Sequence, residues 1–161
     1  MKDIYKVLEE LGISYKKYEH PPVFTVEEAD RHRGEMQGGT TKNLFLRNKK
    51  GKRHYLLVLE SDRKVDIKKM QELLGESSLS FASPERLMKY LGLEPGSVSP
   101  FGIINDEAGE VIVVMDAGLL RHETVHYHPN VNTATLAVSR EDFQRFLDQS
   151  GNEVRVLELP Q

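Results

Sequence analysis

The chain has 161 residues, 39% of them hydrophobic and 29% charged, with a formal net charge of −3. That length and balance suit one soluble domain with a core of its own and argue against extended disorder. The absence of cysteine excludes a disulfide scaffold, a thiolate zinc site and a cysteine nucleophile together, and no apolar run approaches the roughly 18 residues that a membrane span needs.

The first residues, MKDIYKVLEE, mix acids with short apolar steps. They do not read as a signal peptide, so a cytoplasmic protein is expected. Ile4, Val7, Leu8 and Leu11 recur at helical spacing and Gly12 follows, which predicts a short amphipathic helix. Ser14 to Glu19 reads as a strand, broken by His20-Pro21-Pro22. Thr25 with Glu28 forms a capping box for a helix over about Val26 to Arg33. Gly34 to Thr41, with three glycines and no periodicity, reads as a loop.

Asn43 to Arg47 and Arg53 to Leu59 flank the turn Asn48-Lys49-Lys50-Gly51-Lys52 and predict a hairpin. Asp66 caps a helix closed by Gly75, and Ser83-Pro84 caps one closed by Gly92. Leu93 to Pro100 is a loop rich in Gly, Ser and Pro. Phe101 to Asn105, Glu110 to Met115, Glu123 to His128 and Thr133 to Val138 read as strands. Ser139 caps a last helix that ends before Gly151, and Val154 to Leu157 suggests a final strand. The expected fold is a single α+β domain over residues 1–161, with a mixed, largely antiparallel sheet and helices packed around it.

The charge is unevenly spread. No acid lies between Glu35 and Glu60, whereas Lys42, Arg47, Lys49, Lys50, Lys52 and Arg53 all do. The overall balance argues against a dedicated nucleic-acid binder, but a segment this one-sided makes a local positive field for phosphates. A solvated hairpin tip is the plainer alternative.

His126 and His128 share a strand face, because side chains alternate along a strand. They read either as half of a metal site or as part of a polar strand face, with Val125 and Tyr127 in the core behind them. Lys42 starts a strand directly after the glycine loop. It is either an ordinary strand-end lysine or a cation at a pocket mouth for a phosphate or carbonyl oxygen. Gly96-Ser97-Val98-Ser99-Pro100 is either a plain connection or a backbone loop lining a pocket. No nucleophile elbow, phosphate-binding loop or dinucleotide fingerprint is present.

Taken in order, His20-Pro21, Thr-Lys-Asn-Leu-Phe-Leu (Thr41 to Leu46), Gly-x-x-x-Pro-Phe-Gly (Gly96 to Gly102) and His-Pro-x-x-Asn-Thr-Ala-Thr-Leu (His128 to Leu136) resemble the YbaK/ProX family of aminoacyl-tRNA deacylases. These are relatives of the editing domain inserted in bacterial prolyl-tRNA synthetase. The resemblance covers about residues 1 to 158 and looks closest to the branch that removes alanine from proline tRNA. It implies a strongly curved mixed sheet with surrounding helices. It implies that Lys42 and His128 are catalytic, with His128 a polar positioner or a proton shuttle. It implies that Gly96, Ser97, Val98, Ser99, Pro100 and Gly102 form a wall of the aminoacyl pocket, across from Asn132 and Thr133. It gives Arg47, Lys49, Lys50, Lys52 and Arg53 a role in contacts to the tRNA acceptor stem, and it suggests prolyl-tRNA synthetase as a partner. The chemistry needs no cofactor and no metal. The alternatives are a deacylase for cysteinyl or another small aminoacyl proline tRNA, a non-catalytic tRNA-binding module, and a metalloenzyme built on His126 and His128.

Overall fold

The computed structural model describes residues 2–20 and 39–159. The expected capping box at Thr25 and Glu28, its helix, and most of the glycine loop lie outside these residues. In chain order the elements begin with α1 (Ile4–Glu10), β1 (Tyr15–Glu19), β2 (Gly39–Asn48), β3 (His54–Glu60), α2 (Ile67–Leu74), β4 (Leu79–Phe81) and α3 (Pro84–Leu91). A 3-10 helix (Pro100–Asn105), β5 (Val111–Asp116), a second 3-10 helix (Ala117–Arg121), β6 (Thr124–Tyr127), β7 (Ala134–Ser139), α4 (Arg140–Ser150) and β8 (Val154–Leu157) follow.

The helix signals are made of the groups expected. Asp66, Ser83 and Ser139 accept at N-caps from the amides of Lys69, Arg86 and Asp142, and Gly75, Gly92 and Gly151 close the same helices in left-handed conformation. One assignment changes. Phe101 to Asn105 is not a strand but a 3-10 turn, because Pro100 sits at its first position and the Ser99 hydroxyl accepts from the Phe101 amide at 3.1 Å. The predicted loop end also shifts, since β2 already begins at Gly39, which puts Lys42 inside a ten-residue strand rather than at its start.

Among the described residues the strands form one sheet in the order β1-β7-β6-β2-β3-β5-β8, with β4 also paired to β2. The pairs β1–β7, β2–β3, β2–β4 and β6–β7 are antiparallel, and β2–β6, β3–β5 and β5–β8 are parallel. The α+β class and mixed sheet stand, with more parallel pairing than the sequence hairpins imply. Without a strand at 101–105, β5 has no hairpin partner and enters beside β3 instead.

β3 and β5 are apolar at nearly every position because both of their faces are buried. Leu56, Val58, Val113 and Met115 face a core closed by α1, α3 and α4, while Tyr55, Leu57, Leu59 and Val114 face a second core under α2. Tyr127 stacks on Phe143 at 4.1 Å between ring centroids, and Phe101 sits edge-on to both Tyr127 and Phe146. These rings anchor β6 to α4 and fix which way β6 turns its other face.

Candidate active site at the fork of β2 and β6

β2 has β3 along one edge and two partners on the other. β6 pairs with it only at Gly39↔Val125 and Thr40↔His126, and β4 pairs only at Leu46 to Asn48. Past His126 the strands β2 and β6 part, and Lys42 and His128 lie just beyond the fork. The register sets their direction. Thr40 and His126 are paired, and side chains alternate with period two, so Lys42 and His128 project from one face of the sheet. The same face carries Thr135 on β7 and Tyr18 on β1, which are register partners. It is apolar under α2 at Leu44 and Leu46 and polar beyond the fork.

His128 is half-buried and its Nδ1 lies 3.0 Å from the carbonyl of Ala134, so Nδ1 carries the hydrogen and Nε2 keeps its lone pair. Burial holds its pKa below the usual histidine range, and the neighbouring His20 adds to the effect against the pull of the Ala134 carbonyl. The His20 and His128 rings meet edge to face at 6.2 Å, and His20 Nε2 is 2.9 Å from the Thr135 hydroxyl. The His20 amide donates to the Thr133 carbonyl at 3.0 Å. His20 therefore belongs to the site's geometry. Its sequence signal was the His-Pro pair, read there as a break and as the first motif of the resemblance, with no role assigned to His20 itself.

His126 does not sit on an open polar face. It is 3% exposed, donates from Nδ1 to the Gly39 carbonyl at 2.9 Å, and packs edge-on against Tyr18. Burial lowers its pKa. Its Nε2 has no hydrogen-bond partner among the described residues. Those residues hold no group of three or more His, Asp or Glu placed for a metal ion.

The loop wall and the β6–β7 turn are physically joined. The Ser99 hydroxyl donates to the His128 carbonyl at 2.5 Å, and Ser99 is fully buried. This bond takes the carbonyl at the very point where β6 leaves β2. Ser97 and Val98 are half-buried, Gly96 is exposed and Pro100 is buried in the 3-10 helix. Gly102 also has a packing role. It is buried, and a Cβ there would lie 2.7 Å from Leu93, so it serves the packing of the 3-10 helix against the end of α3. Across the turn Asn130 takes a left-handed φ of 65°, Asn132 is half-buried and Thr133 is exposed.

The basic residues gather at the far end of β2. Lys49, Lys50, Lys52 and Arg53 are exposed, and Arg53 faces Glu76 at 3.2 Å. Asn48 shapes the turn by accepting from the amides of Lys52 and Arg53 at 3.0 and 3.1 Å. No helix among the described residues is long and apolar enough to cross a membrane.

Residues 20–146 match the aminoacyl-tRNA editing domain. The chain is 47% identical over 152 residues to the prolyl-tRNA editing protein ProX of Acetoanaerobium sticklandii, covering 94% of this chain and 93% of that protein. It is 36% identical over 151 residues to prolyl-tRNA synthetase associated domain-containing protein 1 of Bos taurus, covering 91% and 88%. The fold overlays the crystal structure of a candidate trans-editing enzyme for prolyl tRNA synthetase with a TM-score of 0.73 at 22% identity, over 100% of this chain and 98% of that one. With a family match over most of its length and a relative at close to half identity, this chain belongs to the aminoacyl-tRNA editing domain family.

Proposed function

We propose that this protein is a cytoplasmic trans-editing deacylase that hydrolyses the ester between alanine and the terminal ribose of proline tRNA, after the tRNA leaves prolyl-tRNA synthetase. The observation that carries the reading is the fork of β2 and β6, which sets Lys42 and His128 on one face of the sheet beside the loop latched by Ser99. The names of the relatives support the choice of proline tRNA.

An aminoacyl ester is already activated, so positioning and charge stabilisation supply what hydrolysis requires. Lys42 provides a cation for the terminal phosphate or for the carbonyl oxygen that gains charge as water adds. The Gly96 to Pro100 loop offers peptide groups to the α-amino group. The carbon–oxygen ester bond breaks, water's hydroxyl stays on the acyl carbon, and its proton passes to the ribose oxygen that leaves. His128, neutral with a free Nε2, orients the ester or the water as a hydrogen-bond acceptor. A synthetase pocket built for proline rejects the smaller alanine by only about 1–3 kcal/mol, so a second pocket that admits alanine and excludes proline by size restores the discrimination.

Purified protein is expected to release radiolabelled alanine from alanyl proline tRNA and to leave prolyl proline tRNA intact. Release of cysteine or another small acid instead would reassign the substrate, and tRNA binding without release of any amino acid would remove the enzymatic reading. The pH profile tests His128. Because its pKa lies below the ordinary value of about 6.5, the imidazole stays neutral across the neutral range. The single-turnover rate is therefore expected to be level from about pH 8 to below about 6.5 and to fall only in more acid solution. His128→Asn, which retains a hydrogen-bonding side chain, is expected to keep the level region at a reduced rate. The acid limb goes with the titrating imidazole, and a variant rate that climbs with pH in place of the level region would make His128 a proton carrier rather than a positioning group.

A further inference from the structure

We propose that Arg47 and Arg86 form a phosphodiester-binding site for RNA backbone at the tip of the β2–β3 hairpin. It rests on the tRNA reading above but lies apart from the end where the ester is cut. The two guanidinium groups come from distant parts of the chain and meet over one residue. Gly51, in the turn with φ +67°, has both groups so close that a Cβ there would lie 2.7 Å from Nη2 of Arg86 and 2.9 Å from Nη2 of Arg47. Two cations that approach one point this nearly are within reach of a single phosphate.

Neither has a carboxylate at ion-pair distance among the described residues. Arg53, Arg63, Arg121, Arg145 and Arg155 each face one, while Arg140 donates to the Leu120 carbonyl. Like charges side by side repel, so something must hold them. Backbone carbonyls do. Arg47 donates to the carbonyls of Asn48 and Lys49 at 3.2 and 3.1 Å, and Arg86 donates to that of Gly51 at 3.2 Å. Arg86 Nη1 also lies 3.1 Å from Nε2 of His54. His54 is buried, with ring centroids 4.0 Å from Tyr90 and 5.5 Å from Phe45. Burial first, then the charges of Arg86, Arg47 and Lys89, push its pKa down to about 4, so at neutral pH it accepts from Arg86 and adds no charge.

The outcome is a pair of planar forks held by backbone carbonyls, with no carboxylate paired to either among the described residues, a geometry suited to phosphate oxygens. Lys49, Lys50, Lys52 and, from α3, Lys89 stand exposed in the neighbouring chain segments. Arg47 lies five residues beyond Lys42 on β2, about 17 Å along the strand, and projects from the opposite face of the sheet, so RNA held at both places passes from one face to the other. The run of charge in the hairpin does not reveal Arg86, which only the packing of α3 brings to the turn.

The test is fluorescence anisotropy with a labelled, uncharged RNA hairpin of the proline-tRNA acceptor stem, at several KCl concentrations. Wild type, Arg47→Gln, Arg86→Gln and the control Lys68→Gln, on the exposed side of α2, are compared after thermal melts establish folding. Each arginine variant is expected to weaken binding several-fold at low salt and to flatten the slope of log affinity against log salt by about one, with Lys68→Gln unchanged. An unchanged slope in folded arginine variants, or equal flattening in Lys68→Gln, overturns the site. Should Arg86→Gln not fold, Arg47→Gln decides. Alanine release by the same wild-type preparation separates the two proposals. Release with arginine-independent binding removes this site and keeps the deacylase, and arginine-dependent binding without release does the reverse.

Discussion

Lys42→Ala is expected to lower the single-turnover rate of alanine release by about 10²–10³, the usual cost of deleting one charge-stabilising donor from a reaction centre. The lysine sits in the middle of β2, half-buried and paired in register with Leu59. Neither apolar cluster is built on it, so its truncation opens no cavity in either core. The melting temperature is expected to stay within a few degrees of wild type. Lys42→Met isolates the charge from the stem, because it keeps most of the aliphatic chain. Both variants should be similarly impaired at saturating tRNA. Alanine release at the wild-type rate by either would remove the ammonium from the mechanism.

The largest effect on stability is expected at Asp116, which is 1% exposed at the end of β5. Its carboxylate takes the Arg63 Nε at 2.8 Å, the Glu60 amide at 3.2 Å and the Gly118 amide at 3.0 Å. Arg63 in turn donates to the Leu159 carbonyl at 3.0 Å, so one buried anion ties β3, β5 and the C-terminal segment together. Removing one partner of such a pair leaves a largely buried cation and two peptide donors unmatched. Asp116→Ala should therefore lose about 3–5 kcal/mol in urea unfolding, a drop of roughly 10 °C in melting temperature for a domain of this size. The site shares the consequence, because Glu60 is the register partner of Thr41, next to Lys42. A loss below about 1 kcal/mol would show that the clamp does not hold the sheet.

Local signals account for much of the fold. Caps at Asp66, Ser83 and Ser139 place three helices, and apolar runs separated by turn residues place the strands of both hairpins seen among the described residues. The misreading at Phe101 to Asn105 had a remedy in plain sight. Ser99-Pro100 is the same cap-and-proline signature as Ser83-Pro84, and the short apolar run after it masked the resemblance. β4, three residues long, carries too little pattern to register at all.

The site is a different matter. Residue types and spacing left Lys42, the serine-rich loop and the histidines as separate features, each with a plain alternative, and only the family resemblance joined them. What joins them physically is the parallel pairing of β2 with β6, a contact between segments some 85 residues apart that no local periodicity encodes. The burial of His126 has the same cause, since the neighbour that closes over it is the start of β2. Gly102 has a reason to be glycine that the Gly-x-x-x-Pro-Phe-Gly string does not reveal, since the space a Cβ would take is filled by Leu93.

The strand that bears Lys42 also bears Arg47, and it is hydrogen-bonded to β3 along almost its full length. On the proposed reading, a reaction centre mounted on so continuously paired a beam cannot widen or narrow by letting that beam breathe. Any shift in which amino acid is accepted would then come from segments outside the sheet, the loop at 96–99 and the turn at 129–132, while the spacing between the two ends of the beam stays fixed like marks on a ruler.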